Sequence, residues 1–156
     1  MTHDNIPSIC DYEGSNYRTD FWEGRGRDYE DRVERVAIRR LLPKSGERLL
    51  EIGSAFGRLT SEYEGYKQVI LLDYSFSQLQ YAQQHYGRDP RFIYVAANAY
   101  RLPFQAGVCD GATIIRVLHH MQDVPKIFSE VRRILAPNST FLLEVANKRN
   151  LKAMLR

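Results

Sequence analysis

Five short apolar segments alternate with segments of helical periodicity along most of this chain. The apolar segments have the length of strands and are rich in Leu, Ile and Val; they cover residues 48–52, 68–72, 92–96, 112–117 and 140–145. Their continuous hydrophobicity is typical of strands that are buried on both faces. Such strands interleaved with helices predict an α/β fold, a Rossmann-like doubly wound parallel sheet with helices on both faces.

Helical periodicity defines the segments that lie around these strands. From Asp28 to about Leu42 the apolar residues recur at helical intervals and predict an amphipathic helix; they are Tyr29, Val33, Val36, Ala37 and Leu41. Further helices are predicted over 58–66, 76–86 and 124–135, with Ser75 and Asp123 as N-caps of the last two. Residues 1–27 are polar and aromatic without a period, and we interpret them as an N-terminal arm and candidate lid ahead of a domain over 28–156.

Composition excludes several classes of protein. A length of 156 residues corresponds to about one domain, and no segment approaches the roughly 18 apolar residues of a membrane span. The first ten residues do not resemble a signal peptide, so we expect a cytoplasmic protein. Cys10 and Cys109 form no CxxC pair and indicate neither a disulfide framework nor a cysteine-based zinc site.

The net charge of +3 comes from four basic residues within 147–156. The other 18 Lys and Arg residues are balanced by 19 acidic ones. A body this close to neutral does not have the electrostatic surface of a general nucleic-acid-binding protein, so no nucleic acid is expected as a partner.

The residues that end each strand are the candidate site, because ligands of parallel sheets bind beyond the carboxyl ends of the strands. The first strand runs into Glu51-Ile52-Gly53-Ser54-Ala55-Phe56-Gly57. Gly53 permits a positive φ, Gly57 is expected to open the next helix, and the amides between them are expected to face a ligand. The glycine spacing differs from GxGxxG, and Glu51 would repel a pyrophosphate but suit a cation. Both features count against a nicotinamide-dependent oxidoreductase; a tight turn without a ligand is the alternative.

Three further strand ends carry candidate residues. Asp73 ends the second strand, where a carboxylate can accept both ribose hydroxyls of an adenosine; its alternative role is to cap the next helix. Asn98 and Ala99 follow the third strand and suit the edge of a purine ring. His119 and His120 follow the fourth, as candidates for a catalytic base or as structural residues. No metal site is predicted there, because adjacent side chains should point apart and no third ligand is near.

Together these segments resemble the class I S-adenosylmethionine-dependent methyltransferases, in particular the subgroup that includes the ubiquinone and menaquinone C-methyltransferases. The resemblance extends from about Tyr29 to Asn147 and is carried by LLEIGSAFGRLT, VILLDYS, NAYRLPF and CDGATIIRVLHHMQDVPKIFSEVRRILAPNSTFLLEV. It implies S-adenosylmethionine as cofactor and methyl transfer to an O, N or C atom of a small-molecule acceptor. His119 and His120 are then candidates for the base that some acceptors need.

The resemblance also implies roles for individual residues. Around the methionine part of the cofactor it places Glu51, Gly53, Ser54, Ala55 and Gly57, with the Gly53 backbone and the Arg116 carbonyl at the ammonium group. Asp73 would hold the ribose hydroxyls, and Tyr74 would lie next to the adenine. Asn98 would meet the adenine amino group, and Ala99 a ring nitrogen through its backbone.

Four departures from the family pattern are visible. Ala55 replaces a common glycine, which we expect to be tolerated because only the flanking glycines should need special geometry. Asn98 replaces an Asp, and Pro137-Asn138-Ser139 replaces Pro-Gly-Gly, where Asn tolerates a left-handed conformation. The last two strands of the family's sheet have no counterpart, so we interpret the domain as truncated. This leaves a second function open, a non-catalytic cofactor-binding or interaction domain.

Overall fold

The computed structural model describes residues 7–145. The strands are β1 (Gly46–Ile52), β2 (Tyr66–Asp73), β3 (Phe92–Ala96), β4 (Cys109–Ile114) and β5 (Leu135–Leu143). The helices are α1 (Tyr17–Phe21), α2 (Asp28–Leu41), α3 (Phe76–Tyr86) and α4 (Val124–Ile134), with 3-10 turns at Thr60–Glu62 and Leu118–His120. Across residues 7–145, no helix has the length and apolar character needed to cross a membrane.

The five strands within residues 7–145 are parallel and lie in the order β3-β2-β1-β4-β5. The chain moves outward from β1 through β2 to β3 and then returns to the other side of β1, so the strand order reverses between β1 and β4. The carboxyl ends of the strands open a crevice at such a reversal. The predicted Rossmann-like fold is confirmed, and the five strands match the five apolar segments.

Two apolar clusters cover the two faces of the sheet. On one face α4 buries Ile127, Val131 and Ile134 against β1 and β4. On the other face α2 and α3 contribute Ile38 and Leu79, which pack against β1 and β2. The strands between the two clusters are buried on both sides, which explains why their sequences are continuously apolar.

The predicted helix caps and the left-handed turn are confirmed. Ser75 accepts a hydrogen bond from the Gln78 amide at 3.4 Å, and Asp123 accepts one from the Lys126 amide at 3.0 Å. Asn138 has a φ of +61° and lies within β5, beside a shift in register with β4. Asn is one of the few residues that adopts this conformation at low cost.

The helix predicted over 58–66 is wrong. That segment forms turns and one 3-10 turn. The backbone amide of Thr60 donates a hydrogen bond to the carbonyl of Gly57, and the amide of Tyr63 donates one to the carbonyl of Thr60. In the eight residues between Gly57 and the start of β2 the backbone amides donate to the third residue back, so the α-helical pattern of bonds to the fourth residue back does not form. The apolar periodicity instead reflects the burial of Leu59, Tyr63 and Tyr66 in the core.

Helix α2 forms where it was predicted, but its apolar stripe does not face the core. Val33 is 47% exposed and Tyr29 is 72% exposed, whereas the buried residues of α2 are Glu34 and Ile38. Glu34 accepts hydrogen bonds from two arginines on the body of the domain. These ion pairs orient the charged side of the helix inward, and only Ile38 shares that side.

We therefore expect the two sides of α2 to differ in their contribution to stability. Ile38→Ala should lower the free energy of unfolding by about 3 kcal/mol, because it leaves a cavity in a packed core. Val33→Ala, on the same helix, should change it by less than about 0.5 kcal/mol. Urea unfolding followed by circular dichroism measures both, and equal losses would contradict this orientation of α2.

Candidate functional site

A cleft opens at the carboxyl edge of the sheet, where β1 and β4 diverge. Its empty volume is about 740 Å³, including open solvent at the mouth. The predicted site residues that line it are Gly53, Ala55, Asp73, Tyr74, Asn98, Ala99, Arg116 and His120. A smaller recess shares Gly53, Ala55 and Arg116 with the cleft and is lined also by Glu51 and Ser54. Gly57 and His119 line neither space.

The turn after β1 has three left-handed residues. Gly53 has a φ of +76°, and a Cβ at this position would lie 2.2 Å from Cγ2 of Val117. Gly57 has a φ of +81° and packs against Thr60. Ala55 has a φ of +45°. The expectation that only the flanking glycines need special geometry is therefore wrong, and Ala55 bears the strain of a conformation that disfavours a Cβ.

The sequence suggested that the amides of this turn face a ligand. In the structure, three of them donate hydrogen bonds to the end of β2 instead. The amides of Gly53 and Ser54 donate to the Leu72 carbonyl at 2.7 and 3.1 Å. The amide of Ala55 donates to Oδ2 of Asp73 at 2.7 Å. The turn is thus attached to the end of β2 at three points.

Asp73 connects the two loops on this side of the cleft. Its Oδ1 accepts a hydrogen bond from the Ser75 amide at 2.8 Å, while its Oδ2 holds Ala55. Burial raises the pKa of the Asp73 carboxyl, and the hydrogen bonds from backbone amides act in the opposite direction. Each oxygen retains a further lone pair, so the carboxylate can still accept from ligand hydroxyls. Ser75, not Asp73, caps α3.

The loop after β3 is also fixed by its own polar groups. Oδ1 of Asn98 accepts a hydrogen bond from the Tyr100 amide at 2.8 Å. The buried Tyr100 hydroxyl in turn accepts from the amides of Gln122 and Asp123 at 2.8 and 3.2 Å. These contacts fix Asn98 and Ala99 at the cleft wall.

Arg116 follows β4 in a left-handed conformation, with a φ of +57°, which the sequence did not predict. Its amide donates to the carboxylate of Glu144 at 3.1 Å, and its Nε donates to Oε1 of Glu34 at 2.5 Å. Sequence reasoning missed Glu34. The signal that could have found it is its position four residues before Ile38, on the same side of the helix.

Glu51 is buried in the recess and lacks a full set of partners. Its Oε2 has no hydrogen-bond partner among the described residues, and neither has Oγ of Ser54. Burial raises the pKa of the Glu51 carboxyl to about 7, against the opposing effects of a hydrogen bond from Tyr63 and the charge of Arg58. An unpartnered buried carboxylate is costly, and it fits a site that receives a cationic or hydrogen-bond-donating ligand group.

The two adjacent histidines have different environments. His120 is half-buried and lines the cleft, whereas His119 is exposed. Their rings do not point apart, as was expected, but lie with centroids 3.9 Å apart because both belong to a 3-10 turn. Burial, and secondarily the neighbouring His119, lowers the pKa of His120. No group of three potential metal ligands occurs within residues 7–145.

The part of the N-terminal arm that the structure describes lies against the cleft. Ser8 accepts a hydrogen bond from the Gln122 side chain at 2.6 Å on the β4 side. On the α3 side, the Glu13 carboxylate accepts from the Ser75 hydroxyl at 2.9 Å. Between these attachments Ile9, Cys10 and Tyr12 line the cleft. The ring centroids of Tyr12 and His120 lie 5.7 Å apart.

The fold and the site combine an open parallel sheet, an acidic residue near the end of β1 followed by a glycine turn, and an acidic residue at the end of β2. The family model of the methyltransferase domain matches residues 50–143, more than half of the chain. This chain therefore belongs to the methyltransferase domain family.

Similar proteins are consistent with this family. The O-methyltransferase cnsE of Penicillium expansum is 29% identical over 146 residues, which cover 87% of this chain and 53% of that protein. A 2-phytyl-1,4-naphtoquinone methyltransferase of Trichormus variabilis is 31% identical over 67% of this chain and 48% of its own length. The solved structure of an S-adenosylmethionine-dependent methyltransferase from Mesorhizobium loti is 30% identical, with a TM-score of 0.63 over 69% of this chain and 51% of that one. The chain spans about half the length of these relatives.

Because Glu51 is buried, we expect the free energy of unfolding to fall as the pH rises. The folded state holds a proton on Glu51 up to about pH 7, whereas the unfolded chain releases it near pH 4.5, so folding is penalised increasingly between these values. Glu51→Gln should remove a penalty of about 3 kcal/mol at pH 8 and little below pH 4.5. Urea unfolding at pH 5 and pH 8 measures the difference.

A suitable control is Glu47→Gln, which replaces an exposed carboxylate on the same strand. Glu47→Gln should change the stability little at either pH. A Glu51→Gln variant whose stability differs from that of the original chain by the same amount at both pH values would contradict the prediction.

Proposed function

We propose that this chain is the cofactor-binding part of an S-adenosylmethionine-dependent methyltransferase that acts on a small-molecule acceptor. The observation that carries the proposal is the presence of two acidic side chains: Asp73 at the adenosine position of the cleft, and Glu51 in the adjoining recess, whose Oε2 has no partner among residues 7–145. These two acidic groups suit the two ends of one ligand, a nucleoside with diol hydroxyls and a group that carries an ammonium.

The residues present fit S-adenosylmethionine. Asp73 has lone pairs left for the ribose hydroxyls, and Tyr74, Asn98 and Ala99 lie in the same cleft, where they would contact the adenine. Glu51 and Ser54 offer the methionine end buried polar atoms that have no partner in the part of the chain that the structure describes. When bound, the cofactor supplies a methyl group on a sulfonium, a leaving group that requires no protonation.

The remaining predicted residues have supporting roles in this proposal. The backbone carbonyls of Gly53 and Arg116 would accept from the ammonium group, since both residues line the recess. Gly57 lines neither space, and its role is to let the turn close onto Thr60. Ala55 contributes its amide to the Asp73 carboxylate and so holds the two loops together.

His120 is the proposed base for an acceptor that must lose a proton. It lines the cleft, and its lowered pKa keeps the imidazole neutral at pH 7 and able to accept a proton. His119 does not line the cleft and acts by lowering the pKa of His120. The chain's main contribution to methyl transfer is to align the acceptor with the methyl group and to exclude water.

The N-terminal arm is the proposed cover of the cleft. It is attached on both sides, through Ser8 and Glu13, and its aromatic side chains line the cleft between these points. An arm that binds in this way would bury the reacting groups and contribute acceptor contacts.

One observation favours a second candidate, a cofactor-binding or interaction domain without catalytic activity. Among the described strands, β5 pairs only with β4, and its other edge is unpaired. An unpaired edge is a position at which another strand can add. Cofactor binding without turnover on any acceptor would favour this candidate.

The cytoplasm is the proposed location, supported by the two cysteines. Both Cys10 and Cys109 are free thiols. Unpaired cysteines are typical of reducing compartments.

Calorimetric titration with S-adenosylhomocysteine, the demethylated cofactor, tests the binding proposal. The original chain should bind it with a Kd of about 1–100 μM, and Asp73→Ala should abolish measurable binding because the ribose loses its partner and the turn its anchor. Asp89→Ala, which removes a half-buried carboxylate that pairs with Arg91 and lines neither the cleft nor the recess, should leave the Kd within about twofold. No binding by a chain that circular dichroism shows to be folded would refute the proposal.

Transfer of a labelled methyl group to a panel of phenols, quinols and amines tests the role of His120. For an acceptor that loses a proton, His120→Asn should lower turnover by about 10²-fold or more, and His119→Asn should lower it far less. Because burial lowers the pKa of His120 below its usual 6.5, turnover by the original chain should decline only below that pH. Equal losses in the two variants would assign the base elsewhere.

A further inference from the structure

A buried acidic residue of α2 lies at the centre of a partly buried charge cluster beside the recess. Glu34 is 9% exposed, and its two carboxylate oxygens accept hydrogen bonds from Arg58 and from Nε of Arg116. Arg58 donates also to Asp31 at 2.5 Å. Helix α2 thus binds the turn after β1 and the loop after β4 at the same time.

The two arginines are part of the recess as well as of this cluster. Arg58 and Arg116 line it together with Glu51 and Ser54. The Trp22 ring of the N-terminal arm covers both guanidinium groups, with its centre 3.7 Å from Cζ of Arg58 and 5.2 Å from Cζ of Arg116. Cation–π contact of this kind holds a guanidinium in place.

The recess therefore combines an acidic group with two basic groups. Oε2 of Glu51 has no partner among residues 7–145. The two guanidinium groups have five donors each, of which Glu34 and Asp31 use only some. A zwitterionic α-amino acid group has the matching charges, with its ammonium for Glu51 and its carboxylate for the arginines.

An acidic group and two arginines that line one recess can pair with each other instead of with a ligand. Arg58 is close enough for its charge to act on Glu51, and a direct ion pair between them would neutralise both sides of the recess. Glu34 binds the same guanidinium with one oxygen and holds Arg116 with the other. While Glu34 binds both arginines, Glu51 remains available.

We propose that Glu34 is a positioning residue that keeps Arg58 and Arg116 apart from Glu51, so that the recess recognises the zwitterionic amino-acid end of the ligand. This inference rests on the proposed function and concerns only one end of the cofactor. Glu34 touches no ligand itself; it acts through the two arginines.

Two ligands that differ only at that end provide the test. S-adenosylhomocysteine has the amino-acid end, and 5′-methylthioadenosine has the same adenosine without it. In calorimetric titrations, Glu34→Gln should weaken the binding of S-adenosylhomocysteine by about tenfold or more and that of 5′-methylthioadenosine by less than about twofold. A merely structural role for Glu34 would weaken both ligands alike.

Glu62→Gln is the matched control. Glu62 belongs to the same network through Arg35 and Arg39 but contacts neither arginine of the recess. This variant should leave the affinity for both ligands within about twofold.

Arg116→Asn is the second variant, which keeps the proposal testable should Glu34→Gln fail to fold. Asn tolerates the left-handed conformation of this position and removes one guanidinium. It should reproduce the selective loss of S-adenosylhomocysteine binding.

The outcomes separate the inference from the proposed function. Unchanged binding of S-adenosylhomocysteine by folded Glu34→Gln, or an equal loss for both ligands, would overturn the role of Glu34 and leave the cofactor proposal intact. If the original chain bound neither ligand, the proposed function would fail, and this inference with it.

Discussion

The carboxylate of Asp73 is the constraint on which the architecture of the cleft depends. It accepts the Ala55 amide with one oxygen and the Ser75 amide with the other, and so joins the turn after β1 to the turn before α3. The left-handed Ala55 is tolerated because this bond and those to the Leu72 carbonyl specify the turn. The same carboxylate also lines the cleft, so one group both joins the loops of the site and faces its interior.

Charge is distributed unevenly around this framework. Glu34 is fully paired with arginines, whereas Glu51, comparably buried, has an oxygen without a partner among the described residues. Removing one partner of a buried ion pair leaves an uncompensated charge, which strongly destabilises the folded state. The arginines of the recess therefore need Glu34 as a partner, and Glu51 is suited to a ligand group that supplies the missing one. The α2 helix serves this electrostatic requirement, since its buried side is mainly charged.

The strand pattern and the motif positions were predictable because they depend on local sequence. Continuous apolar segments identified all five strands, and Ser75 and Asp123 cap the helices where they were predicted. The segment 58–66 and the buried side of α2 were not, because periodicity records which residues are apolar and not which partner they meet. Tyr29 and Val33 have helical spacing and remain exposed, since long-range ion pairs to Arg58 and Arg116 set the rotation of the helix.

The sequence by itself determined the class of fold, the family and the residues that end each strand, because these follow from hydrophobic pattern and from residue types at fixed spacing. Only the tertiary structure decided that His120 and not His119 lines the cleft, that the arm lies across it, and that Glu34 binds the two arginines that line the recess with Glu51. Glu34 and Arg116 are 82 positions apart. Contacts between residues so distant in the chain arise from the packing of α2 on the sheet, and no local pattern encodes them.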